Sequence, residues 1–297
     1  MSEAEPEQAA TTAAAAVAGT SAGAAAVTAR AAAIELRRAG LSYGDRVLWE
    51  NLDLSVAPGE FLAVLGPNGS GKTSLLRVLL GLQPLTTGTA LIAGQRVRTG
   101  SRHIGYIPQQ KAFRAGSPLR ARDLVGLGLD GHRWGIRLRG RAFRQRVDEL
   151  LEVVGASAYA DVPVGMLSGG EQQRLRAAQA LATDPQVLLC DEPLLSLDLH
   201  HQQAVSALID GQRRRSGTAV VFVTHEINPI IDYVDRVLYL AGGQFRVGTP
   251  EEVMTTEVLS DMYGTRVRVI RNEGRLVVVG LPDATTHEHG QHEGDED

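Results

Sequence analysis

The stretch that decides the fold runs Phe61-Leu-Ala-Val-Leu65, then Gly66-Pro-Asn-Gly-Ser-Gly-Lys-Thr73, then Ser74-Leu-Leu-Arg-Val-Leu-Leu80. Five consecutive apolar residues read as a strand buried on both faces, and the leucine-rich stretch after Thr73 reads as a helix. Between them stands G-x-x-x-x-G-K-(S/T), a loop whose backbone N–H groups can wrap phosphate oxygens. Gly66, Gly69 and Gly71 let the backbone turn inward, with Pro67, Asn68 and Ser70 completing the loop and Ser74 continuing into the helix. That helix presents its positive N-terminus to the same anion. Lys72 is expected to reach the β- and γ-phosphates, and the Thr73 hydroxyl to ligate magnesium. Lysine is otherwise nearly absent, Lys111 being the only other one. The pattern predicts an α/β chain that binds a nucleoside triphosphate.

Working outward, Val187-Leu-Leu-Cys190 is a second buried-strand run, followed by Asp191-Glu192-Pro193. Ligands of open parallel sheets gather beyond the carboxyl ends of the strands, so Asp191 is placed to hold magnesium. Glu192 is the candidate general base for an attacking water. Cys190 reads as a small buried hydrophobe rather than a reactive thiol. Between the two strands lies Leu167-Ser-Gly-Gly-Glu-Gln-Gln-Arg174, opening a helical run to Leu181. Ser168, Gly169 and Gly170 would offer a second set of exposed amides at a helix N-terminus, again suited to phosphate.

Together these motifs resemble the nucleotide-binding subunit of an ATP-binding cassette (ABC) transporter. The resemblance covers about 34–250 and includes weaker matches in the same order. Tyr43 in Leu41-Ser-Tyr-Gly44 matches the residue that stacks on adenine. Gln109 in Tyr106-Ile-Pro-Gln109 matches the glutamine near magnesium and the membrane partner. Asp198 in Ser196-Leu-Asp198 matches the loop that crosses the dimer interface, and His225 in Val223-Thr-His225 matches the γ-phosphate-sensing histidine. Glu171 stands where the commonest signature has glutamine, and Leu194-Leu195 replaces the usual small polar residues.

The resemblance implies a P-loop NTPase fold, with a RecA-like core, an antiparallel β subdomain and a helical subdomain at about 110–165. It implies ATP and Mg2+ as cofactors, and a head-to-tail homodimer in which Ser168, Gly169 and Gly170 cap the nucleotide of the second subunit. Catalysis is then positioning and electrostatics by Glu192, His225, Lys72, Gln109 and Asp198, with Thr73, Gln109 and Asp191 about the magnesium. Separate transmembrane permease subunits and, indirectly, a substrate-binding protein are the implied partners. The implied place is the cytoplasmic face of the cell membrane.

Composition fits that frame. The formal charge is −4, but residues 1–33 carry Glu3, Glu5 and Glu7 against Arg30, and 283–297 carry six carboxylates and no base. A mildly basic body is thus flanked by acidic tails. One cysteine excludes a disulfide framework or a cysteine-ligated zinc site. Ala13 to Ile34 is too poor in large aliphatics to span a bilayer, and its acidic start does not suit a signal peptide. It reads as a disordered, Ala-rich extension over 1–33. In the 283–297 tail, His287, His289 and His292 among acids suit either a weak divalent-metal site or a solvated tail. Six arginines between Arg133 and Arg146 read as a platform for membrane-protein loops or lipid headgroups, or as a solvated helix face. No nucleic-acid recognition motif accompanies them.

Within the family, the stretch 251–282 is an extension of the cassette. Thr249-Pro-Glu-Glu-Val-Met, Arg266-Val-Arg-Val-Ile-Arg and Gly274-Arg-Leu-Val-Val-Val-Gly look most like the zinc/manganese importers. Siderophore or cobalamin importers, and a soluble ABC ATPase acting as an assembly or regulatory factor, are the other readings the resemblance leaves.

Overall fold

The computed structural model describes residues 32–109, 113, 116–131, 140–272 and 274–280. The described residues belong to one compact unit beginning at Ala31. The extension before residue 32, Arg133, Arg137 and Arg139, and the His-bearing tail after 280 lie outside them.

The chain opens with β1 (Ile34–Tyr43) and β2 (Arg46–Val56), a hairpin whose alternating burial marks a sheet with one covered face. Next come β3 (Phe61–Leu65), buried at every position, and α1 (Lys72–Leu79). After β4 (Thr87–Ile92), β5 (Gln95–Arg96) and β6 (Ile104–Ile107), the chain enters a helical stretch. There α2 (Ala121–Asp130) and α3 (Arg141–Val153) pack on α4 (Gly169–Leu181). The core resumes with β7 (Val187–Asp191), α5 (Leu199–Ser216), β8 (Ala219–Val223), β9 (Arg236–Ala241) and β10 (Gln244–Gly248). It ends with α6 (Pro250–Val253), α7 (Thr256–Tyr263) and the hairpin β11 (Val267–Asn272)–β12 (Arg275–Gly280).

The central sheet has the order β10-β9-β3-β8-β7-β6, parallel from β9 through β6. Its inner strands are continuous apolar runs because helices or a second sheet cover both faces. Leu75, Leu76, Val78 and Leu79 of α1 join one core with a four-stranded antiparallel sheet, order β2-β1-β4-β5. The opposite face of the central sheet packs on helices α2, α4 and α5. Val267 and Leu276 of the last hairpin are buried in that second core, so the hairpin is packed against it.

Register then fixes where function can sit. Val64 pairs with Val223, Asp191 with Val223, and Ile107 with Cys190. Parallel neighbours in this register bring the carboxyl ends of β3, β8, β7 and β6 to one rim. The segments leaving that rim are those that carry Gly66–Thr73, His225, Glu192 and Gln109.

Candidate nucleotide site

A cavity of about 400 Å³ opens on this rim, lined among others by Tyr43, Asn68, Lys72, Thr73, Ser74 and Glu192. Tyr43 ends β1 half-exposed, its hydroxyl donating to Gln83 Oε1 at 2.7 Å and lying 3.5 Å from Ser74 Oγ. The loop itself is shaped by sterics. At Gly71, φ is +101° and an added Cβ would stand 2.9 Å from Trp49 Nε1, so only glycine fits. Gly71 is also the N-cap of α1, with no side-chain cap and no acid in the first turn. The helix therefore turns uncompensated N–H groups toward the cavity.

Lys72 is buried and donates to the carbonyls of Gly66 at 2.7 Å and Pro67 at 3.0 Å. Burial lowers its pKa, against the pull of Glu192 and Asp191. Ser70 Oγ is buried without a hydrogen-bond partner among the described residues, while its N–H bonds Pro67. Gly69 is held from outside by Arg46, whose guanidinium donates to its carbonyl at 2.8 Å. No sequence pattern pointed to Arg46. Only its place three residues past Tyr43 in the β1–β2 turn could have.

Thr73 Oγ1 donates to Asp191 Oδ1 at 3.4 Å, and Tyr106 OH reaches Asp191 Oδ2 at the same distance. Burial, then the neighbouring Glu192, raises the Asp191 pKa, while the Tyr106 and Thr73 hydroxyls oppose them. Tyr106 is pushed up to about 12 by burial and by Asp191, so it remains a hydrogen-bond donor. A threonine hydroxyl beside a carboxylate is an all-oxygen donor set of the kind magnesium takes. Cys190, one residue earlier, is fully buried and its thiol is raised by desolvation.

Glu192 leaves β7 in the left-handed region, φ +45°, with its N–H held by Val223 O at 2.9 Å. That conformation costs a non-glycine residue about 1 kcal/mol or more. It brings together two groups far apart in sequence. Gln109 Nε2 donates to Glu192 Oε2 at 3.4 Å, and His225 Nδ1 lies 3.8 Å from the same oxygen.

Two expected participants lie away from this cavity. Ser168, Gly169 and Gly170 open α4, and Asp198 is the N-cap of α5, none of them lining the pocket. Asp198 accepts from the His201 N–H at 2.9 Å and lies 2.8 Å from His201 Nδ1. His201 in turn covers the signature, since a Cβ on Gly170 would come 2.1 Å from its ring. Ser168 is exposed, and its donors are engaged within their own helix. Its N–H and hydroxyl both donate to Glu171 Oε2 at 2.8 Å, and the Glu171 N–H returns to Ser168 Oγ at 3.3 Å.

Comparison with known proteins bears on this arrangement. The profile of the ABC transporter family matches residues 49–195. The zinc transport system ATP-binding protein TroB of Treponema pallidum is 33% identical over 80% of this chain and 90% of its own length.

The chain belongs to the ABC transporter family.

As a member it is an ABC transporter ATPase subunit, hydrolysing ATP to ADP and phosphate. The manganese transport system ATP-binding protein MntB of Halalkalibacterium halodurans is 30% identical over 78% of the chain and 92% of its own. The sulfate/thiosulfate import protein CysA of Mycolicibacterium paratuberculosis reaches 39% identity over 74% of the chain, but only 60% of CysA is covered. Among solved structures, a dimeric ATP-binding cassette with ADP and phosphate bound is 28% identical. It has a TM-score of 0.61 and covers 73% of this chain and 98% of its own. Among the described residues no helix is long and apolar enough to cross a membrane.

Proposed function

We propose that this ATPase powers an importer for metal ions of the zinc and manganese type. The observation that carries the substrate class is the extent of the likeness. The manganese and zinc proteins are matched over 92% and 90% of their length, against 60% for the sulfate protein. The sulfate protein has the higher identity, so sulfate belongs among the test substrates.

In this reading adenine stacks on Tyr43 and the triphosphate lies along Gly66–Ser74, its β- and γ-phosphates met by Lys72 and the N–H groups of α1. Thr73 and Asp191 would hold magnesium, with Gln109 near it. Magnesium, when bound, neutralises charge on the β- and γ-oxygens. Glu192 accepts a hydrogen bond from the attacking water and takes its proton as the oxygen bonds to phosphorus and ADP leaves. The spacing of Gln109 and His225 about Glu192 Oε2 supports a shared task there. Two copies associate head to tail, so that each Ser168–Gly170 segment and Asp198 complete the other's site. Closure by two nucleotides and release after hydrolysis would drive permease subunits fed by a substrate-binding protein. The cassette then works as a peripheral protein at the cytoplasmic face of the membrane.

The test is ATP-dependent uptake by the complete reconstituted transporter, with zinc, manganese, ferric chelates and sulfate compared. Saturable uptake of zinc or manganese is expected, and Glu192→Gln should abolish it while ATP is still bound. Uptake of sulfate or a ferric chelate with neither metal would overturn the assignment.

A further inference from the structure

His225 sits in a turn whose fixtures go beyond the nucleotide site. The turn begins at buried Thr224, which leaves β8 with its N–H on Val64 O at 3.2 Å. Its hydroxyl accepts from the Glu226 N–H at 3.1 Å and donates to the Glu226 carbonyl at 2.9 Å, closing the backbone around His225. Ile227 and Ile230 are buried in the core just beyond.

Between them, Asn228 reaches out of the cassette core to the last hairpin. Its Nδ2 donates to the Leu276 carbonyl at 2.9 Å and its Oδ1 accepts the Leu276 N–H at 2.8 Å. A single carboxamide thus takes the place of a neighbouring strand along the edge of β12. The other edge of the hairpin is fixed with equal care. Ser260 Oγ of α7 bonds both the N–H and the carbonyl of Val267 at 3.0 Å, and Thr256 Oγ1 accepts the Val269 N–H at 3.0 Å. Arg271 ties β11 to the carbonyls of Pro250 and Met254. The hairpin is therefore anchored to α6 and α7 on one side and to the turn of His225 on the other.

Ile227 and Ile230 share a hydrophobic core with Val267 and Leu276, and the bonds at Asn228 add a directional link between the same two segments. A cavity of about 640 Å³ is lined by residues of the nucleotide loop, the turn and the hairpin alike, among them Pro67, Asn68, His225, Asn228, Leu276 and Val278. Among the described residues, no other hydrogen bond joins 224–234 to the hairpin. Asn228 is therefore the polar link between the turn and the hairpin among the described residues.

We infer that the β11–β12 hairpin is a brace that sets His225 for hydrolysis, with Asn228 as the positioning residue that joins the two. The inference rests on the proposed role of His225 beside Glu192. It gives the 251–282 extension a task in turnover, and it separates that task from nucleotide binding, because no hairpin residue lines the nucleotide cavity.

The experiment measures steady-state ATPase of the full chain for Asn228→Ala, Asn228→Asp, His225→Ala and the double variant. Asn228→Ala should lower kcat about tenfold, with KM for ATP changed less than about twofold. Asn228→Asp keeps the acceptor for the Leu276 N–H and should recover part of the loss. The double variant should be no slower than His225→Ala alone, because a positioning residue has nothing left to position. Normal kcat in Asn228→Ala beside a slow His225→Ala overturns the brace and leaves the histidine's role intact. Full activity in His225→Ala removes that role and the brace with it. A loss from Asn228→Ala that persists undiminished in the His225→Ala background, or that appears in KM alone, shows a general structural effect and also overturns the inference.

Discussion

Two helix N-termini in this chain, both proposed to meet phosphate, are finished in opposite ways. At α1 the N-cap is a left-handed glycine, no side chain caps the helix, and no acid stands in the first turn. At α4 the N-cap is Ser168, a full capping box is closed, and Glu171 stands in the first turn. The first helix leaves its N–H groups unsatisfied by the protein, which is tolerable only where water or an anion can take them. The second satisfies its own donors with its own carboxylate. Under the proposed dimer, the difference separates a half that is ready in a lone chain from one that is not. The α1 half is open to a triphosphate at once. In the proposed dimer, Ser168 of the α4 half would exchange an internal acceptor for an external one when a second copy brings its phosphate close.

The largest effect should come from the open half. Lys72 is the one charged donor folded into the loop, and its removal takes away both the cation and the bonds to the Gly66 and Pro67 carbonyls. Lys72→Ala should weaken ATP binding to the isolated chain about a hundredfold, as two charge-assisted phosphate contacts would suggest. Titration with a fluorescent ATP analogue reads this directly. Binding within about twofold of the unaltered chain would mean that α1 and the loop amides carry the nucleotide alone.

Ser168→Ala probes the closed half and should divide the two measurements. Nucleotide binding by the isolated chain should be unchanged, because Ser168 does not line that cavity. Turnover should fall about tenfold with the loss of one hydroxyl donor to the γ-phosphate. Loss of the N-cap costs about 1 kcal/mol of stability and lowers the melting temperature by a few degrees. If binding to the lone chain fell as well, the two halves would not be separate.

The contrast also marks what could be read from the chain before its structure. The runs 61–65 and 187–190 were legible as buried strands because uninterrupted apolar residues bounded by a glycine loop or carboxylates have few other uses. Thr73 and Asp191, 118 residues apart, could be paired through the ends of parallel strands, and the side chains do meet. The state of the signature was not legible. Ser-x-x-Glu suits a capping box and Ser-Gly-Gly suits a phosphate surface, and 168–171 carries both patterns. The capping box is the set that forms here, and in the proposed dimer a partner's phosphate would compete for the Ser168 donors. Nor could Asn228 or Arg46 be found, since each bonds backbone atoms whose position only the folded chain supplies.

Glu171 should give the smallest effect, and it tests the contrast most directly. Its carboxylate accepts the Ser168 N–H and hydroxyl, the same donors a second chain's γ-phosphate would use. Closing the proposed dimer would therefore displace a negative charge from the α4 N-terminus or bring a second one beside it. Glu171→Gln keeps an oxygen able to close the capping box but removes the charge. The lost interaction with the helix dipole is about 0.3–1 kcal/mol, which should appear as a slightly lower melting temperature of the isolated chain. Relief of repulsion against the incoming phosphate has a similar size. The ATP concentration for half-maximal dimer formation, measured by light scattering in the Glu192→Gln background, should accordingly fall about twofold to fivefold. An unchanged or higher concentration would mean that the capping box opens without cost, and that both helices reach their phosphates equally prepared.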